Sequence, residues 1–149
     1  MQMLSDRICY EAALSLHRHL EFGPFLKDAR SFLLKFMPID TIVLGTFCPG
    51  HSAMCVVGGA GREGVWNSRE DVSVSPAAVK KLSGMGASVT IYKRVSASAP
   101  ARPLIDAGML AGDAALITLR MVVGKGSIGL LFCSAEPGKE FSRENAAVI

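Results

Sequence analysis

An α+β domain, built on an antiparallel sheet of five to six strands, is the fold class this chain predicts, and three observations predict it. Near the amino terminus apolar residues recur with the four-residue drift of a helical face. Further on, runs rich in β-branched residues are closed by turn chemistry, and two of them pair off as hairpins. Two long connections flank the third strand, which sets lid segments over one face of the sheet and leaves terminal helices for the other. Length agrees: 149 residues suffice for one domain with a core that needs no staples.

Leu4 to Phe22 carries Leu4, Ile8, Ala12, Leu16 and Leu20 on one helical stripe, with Ser5 and Asp6 as caps. Gly23-Pro24 ends this helix and starts a second, since proline is tolerated in a first turn. The second helix repeats the spacing through Phe25, Ala29, Phe32, Leu33 and Phe36, and Met37-Pro38 stops it. Asp40 to Phe47 (DTIVLGTF) is a strand by β-branched content, Cys48-Pro49-Gly50-His51 is a turn, and Ala53 to Val57 returns as the partner strand.

Gly58 to Ser75 reads as a polar, glycine-rich loop broken by Val65, Trp66, Val72 and Val74. Ser75 as N-cap and Pro76 at the first position open a short helix to Leu82. Ala87 to Val95 is a third strand, with Val89, Ile91 and Lys93 alternating against Thr90, Tyr92 and Arg94. Ser96 to Gly112 is a second long connection, with a candidate short helix around Leu104 to Leu110. Ala114 to Val123 and Ser127 to Ala135 form a closing hairpin about Gly124-Lys125-Gly126, and Ser142 caps a helix that is still running at Ile149. That last helix predicts a single domain spanning 1–149, cut from a longer chain.

Composition narrows the function classes. Half the residues are hydrophobic and 19% are charged, which excludes global disorder. Every apolar run is interrupted before the roughly 18–20 residues of a membrane span. The first residues lack a signal peptide's basic start, so a cytoplasmic protein without membrane contact is expected. A net charge of +3, with no basic block longer than Lys80-Lys81, gives little for a nucleic acid to hold. Direct nucleic-acid binding is therefore not expected. Four cysteines without a tight repeat read as small core residues.

The element order resembles that of GAF domains, and the closing segment carries the most specific part of the resemblance. In LRMVVGKGSIGLLFCSAEPGKEFSRENAAVI, residues Gly129, Leu130, Leu131, Phe141, Ser142 and Glu144 match the family's final hairpin and the opening of its last helix. The entry FMPIDTIVLGTFCPGHSAMCVVG is similar to GAF modules at the amino terminus of sigma-54-dependent transcriptional activators. The resemblance implies a sensory domain rather than an enzyme. It would answer to a small-molecule effector, form a homodimer, and control ATPase and DNA-binding output domains beyond Ile149. No particular cofactor is implied. The chain lacks the chromophore-attaching Cys-His pair of phytochromes and the Asn-Lys-x-x-x-Phe-Asp-x-x-x-Asp-Glu signature of cyclic-nucleotide binders, so those ligands are disfavoured.

Five residues are the candidate ligand-binding set. Trp66 would need a partner for its indole N–H if buried; Tyr92 and Arg94 would share one face of a central strand and fix a carboxylate or phosphate; Met109 and Leu110 sit on the second loop. The bland alternative is an exposed strand face and a core-capping tryptophan. Cys48, His51 and Cys55 space as metal ligands across the first hairpin, yet a structural zinc site wants four. Gly59-x-Gly61-x-x-Gly64 mimics a dinucleotide fingerprint without its βαβ unit. Two rival functions are a ligand-free dimerisation module and a small cysteine-based sulfoxide reductase of the same fold, the latter needing Cys48, Cys55 or Cys133 together in one pocket.

Overall fold

The structure is a computed structural model that describes residues 22–47, 52–83, 88–122 and 128–144. The helix expected from Leu4, the Cys48–His51 turn, the Gly124–Gly126 turn and the chain after Glu144 lie outside the described residues. Helix α1 (Phe22–Leu34) leads into β1 (Ile39–Phe47), β2 (Ala53–Gly61) and β3 (Gly64–Ser73). Helix α2 (Pro76–Ser83), β4 (Ser88–Tyr92), a 3-10 turn (Val95–Ala97) and helix α3 (Arg102–Asp106) follow, and β5 (Leu116–Val122) and β6 (Ile128–Ala135) close the described fold.

All six strands form one antiparallel sheet in the order β3-β2-β1-β6-β5-β4. This is the α+β architecture expected from the sequence, with the sixth strand in the stretch expected to be a loop. The stretch from Gly58 to Ser75 extends β2 to Gly61 and then returns as β3. Arg62 and Glu63 make the reversal, and Gly64 takes φ +126°, a value side chains other than hydrogen rarely adopt. Its polar composition misled because β3 is an edge strand: Val72 is buried while Asp71 and Ser73 face solvent.

The two central strands are β1 and β6, and both faces of each are covered. On one face Ile42, Leu44, Leu131 and Cys133 pack with Ile117 against Leu26 and Leu33 of α1. On the other, Val43, Phe47, Leu130 and Phe132 pack with Leu116 against Ala78 of α2, Val95 of the 3-10 turn and Leu104 of α3. A strand buried on both sides must be apolar throughout, which is why SIGLLFCSA shows no alternation. Val57 is an extra residue in β2, and the register steps beside it toward both β1 and β3.

Two helices depart from, or agree with, expectation for clear reasons. The buried side of α1 carries Leu26 and Leu33 and continues to Met37, rather than the stripe through Phe25, Phe32 and Phe36. Those three phenylalanines remain 55%, 51% and 49% exposed, and the rings of Phe32 and Phe36 meet at 5.3 Å. Both stripes have helical spacing, so periodicity alone does not choose between them. Helix α2 begins as its sequence dictates: Ala78 N–H donates to Ser75 Oγ at 3.2 Å, the bond of an N-cap serine.

Candidate functional site

The strand expected to be central, β4, is the edge of the sheet opposite β3 and ends at Tyr92. Arg94 lies beyond it, exposed, with extended backbone at the entry to the 3-10 turn. The expected sharing of one strand face by Tyr92 and Arg94 is therefore not found. The five candidate residues divide among three places.

Tyr92 sits half-buried on the sheet face covered by α2 and α3, with Lys81 Nζ 4.8 Å from its ring centre, a cation–π contact from the lid helix. Strand pairing sets a polar group beside it. Thr90 stands opposite Thr118, Tyr92 opposite Leu116, and Arg120 opposite Leu130 and Ser88. Alternation along β5 turns Leu116, Thr118 and Arg120 toward the lid and Ile117 and Leu119 toward α1. Arg120 is only 6% exposed and Thr118 9%. The Thr118 hydroxyl has no hydrogen-bond partner, and neither does that of Ser98, 1% exposed between the 3-10 turn and α3 in the segment packed on this face. A buried hydroxyl left unpaired costs roughly 1–3 kcal/mol, so these positions call for a partner from water or ligand. Spacing alone does not single out Thr118 and Arg120, because the rest of the strand from Ala114 to Val123 is apolar and β-branched. The signal was an arginine and a threonine on alternate positions of a strand otherwise fit for a core.

Trp66 and Met109 line a recess of about 610 Å³ at one end of the sheet, beside the β2–β3 reversal and Asn67. Arg94, Met109 and Leu110 line a second recess of about 390 Å³, between the 3-10 turn and the end of β6. Asp40 and Thr41, at the start of β1, border both. Arg62, in the wall of the first, reaches Asp40 Oδ1 at 3.6 Å and Glu136 Oε1 at 3.3 Å. Arg62 is largely exposed and the two acids partly so, so each pair contributes little stability.

Among the described cysteines, Cys55 and Cys133 are both free and buried. Of the candidate metal trio only Cys55 is described, and among the described residues no group of three or more His, Cys, Asp and Glu is placed to hold a metal ion. Burial raises the Cys55 thiol pKa, and the nearby Asp71 carboxylate raises it further, against a smaller opposing pull from the Thr46 hydroxyl. Cys133 is pushed up to about 12 by burial. Cys55 pairs with Thr46 and Cys133 with Ile42, on opposite sides of β1. Four residues of strand, roughly 13 Å, and two strand spacings of about 4.8 Å separate them, well beyond disulfide reach. No helix among the described residues is long and apolar enough to cross a membrane.

No protein-family model matches the sequence, and no curated protein matches it. Among solved structures, the crystal structure of the GAF domain/HD domain protein from Geobacter sulfurreducens superposes with a TM-score of 0.56 at 16% identity, covering 86% of this chain and 84% of that one. The fold is thus GAF-like.

Proposed function

We propose that this GAF-like domain is a sensory module that binds a small molecule between its sheet and the lid formed by α2, the 3-10 turn and α3. The observation that carries the reading is the unpaired Thr118 hydroxyl beside the nearly buried Arg120, on the one sheet face that lid segments cover. A core built only for stability gains nothing from an unpaired hydroxyl, whereas a compact carboxylate or phosphate would accept from it and from the neighbouring guanidinium. A guanidinium offers five donors in a planar fork suited to such oxyanions. Binding would favour one setting of the lid over another and pass that bias along the chain. The sequence resemblance to sigma-54-dependent activators supports a transcriptional output domain as the recipient.

A thermal-shift screen of the 149-residue domain against small carboxylates, phosphates and 2-oxo acids tests this. A binder at ~100-fold over its Kd adds about 2.7 kcal/mol, or roughly 5–10 °C in Tm for a domain of this size. The shift should be saturable in the wild type and lost in Arg120→Met. No shift from any compound, or one equal in Arg120→Met, would overturn the proposal.

Homodimerisation is a second reading, favoured by the exposed stripe of Phe25, Phe32 and Phe36. At about 200 Å² per phenylalanine, half-exposed, the three supply roughly 300 Å². A stable interface takes about 800 Å² per partner, so the stripe would form only part of it. Sedimentation of Phe32→Ser against the wild type decides whether it forms any.

A further inference from the structure

We infer that the 390 Å³ recess between the 3-10 turn and the end of β6 is a second ligand site, distinct from the lid face, and that it takes a zwitterion of α-amino-acid type. The inference rests on how charge is distributed around a neutral floor. The floor consists of small or apolar groups, with Ala115 and Ala135 buried and the Ser134 hydroxyl already donating to the Thr41 carbonyl at 3.3 Å. Met109 and Leu110 form an apolar wall.

Around this floor stand three cations, Lys93, Arg94 and Lys139, and two acids, Asp113 and Glu140. Among the described residues no ion pair within 4 Å joins any of these five to another. The sixth charge, Asp40, is already engaged by Arg62 at 3.6 Å. A simple anion would meet the cations while leaving the acids facing it. A simple cation would meet the reverse. A ligand carrying a carboxylate and an ammonium a few ångströms apart satisfies both sets, and its side chain lies against Met109 and Leu110. The volume falls in the ~300–1,000 Å³ range of small-molecule sites.

Isothermal titration calorimetry of the domain with glycine, leucine, phenylalanine, glutamate and lysine, each up to about 10 mM, tests the assignment. Each amino acid is compared with its N-acetyl and its amide derivative. At least one free amino acid should bind saturably, with affinity reduced tenfold or more by blocking either end. Arg94→Ala and Asp113→Asn should each weaken it about tenfold. Both positions are exposed, so folding should survive, and a circular-dichroism melt checks this. Arg120→Met should leave it unchanged, which separates this site from the lid face. The assignment is overturned by the absence of saturable heat with all five, by equal binding of the blocked derivatives, or by loss of binding in Arg120→Met alone.

Discussion

The indole of Trp66 lies across the α-carbon of Gly59 on the neighbouring strand, and the two are register partners. A Cβ built on Gly59 would fall within the indole and 2.6 Å from the Ile42 carbonyl oxygen, so backbone as well as ring would have to move. Gly59→Ala is therefore expected to cost about 1–3 kcal/mol, the usual penalty of overpacking. Trp66 is the only tryptophan, so its emission reports the displacement directly. A red-shifted spectrum with a lowered urea midpoint is the expected pair of results.

Core and surface phenylalanines should behave oppositely. Phe132 is fully buried between the sheet and the lid segments, and Phe132→Ala is expected to lose about 3–5 kcal/mol. Phe32, half-exposed on α1, has little burial to lose, and Phe32→Ala should change stability by less than about 1 kcal/mol. Urea denaturation of both variants, at a protein concentration where the domain is monomeric, checks the ordering.

Thr118→Val separates binding from stability. Valine keeps the β-branched shape and removes the unpaired hydroxyl, so the ligand-free domain should gain about 1 kcal/mol. A structural threonine satisfied in the folded state would lose stability on the same change. Thermal melts of the two proteins without ligand distinguish these outcomes.

Cys133 makes a prediction for alkaline pH. Its thiol pKa is about 12 in the fold, against 9.0 as the ordinary value. Below pH 9 both folded and unfolded chains hold the proton, and the contribution to stability is complete. Between about pH 9 and 12 the unfolded chain releases it while the native chain retains it, so stability falls as pH rises. Cys55, raised in the same direction, adds to the slope. Urea midpoints above pH 9 should fall more steeply for the wild type than for Cys133→Ala, and native Cys133 should resist alkylation until the domain unfolds.

The two hairpins through β1 and β6 were legible in the sequence because β-branched runs between turn residues have few other ways to fold. The Ser75 cap was legible because its bond is local. What escaped was set by tertiary neighbours. Strand β3 looks like a loop until β2 supplies its hydrogen bonds, and the phenylalanine stripe of α1 is as periodic as the leucine stripe that is buried. For the candidate residues, spacing could not tell that β4 stops at Tyr92 and leaves Arg94 outside. Nor could it show that the arginine of β5 is the one carried under the lid.

Amide chemical-shift mapping of the 15N-labelled domain, titrated with the strongest carboxylate or phosphate from the thermal screen, tests the central claim most directly. Saturable shifts centred on Tyr92, Thr118, Arg120 and Ser98 are the predicted result, with α1 undisturbed. Shifts confined to α1 or to the outer face of β3, or none at any ligand concentration, would contradict a sensory site between sheet and lid.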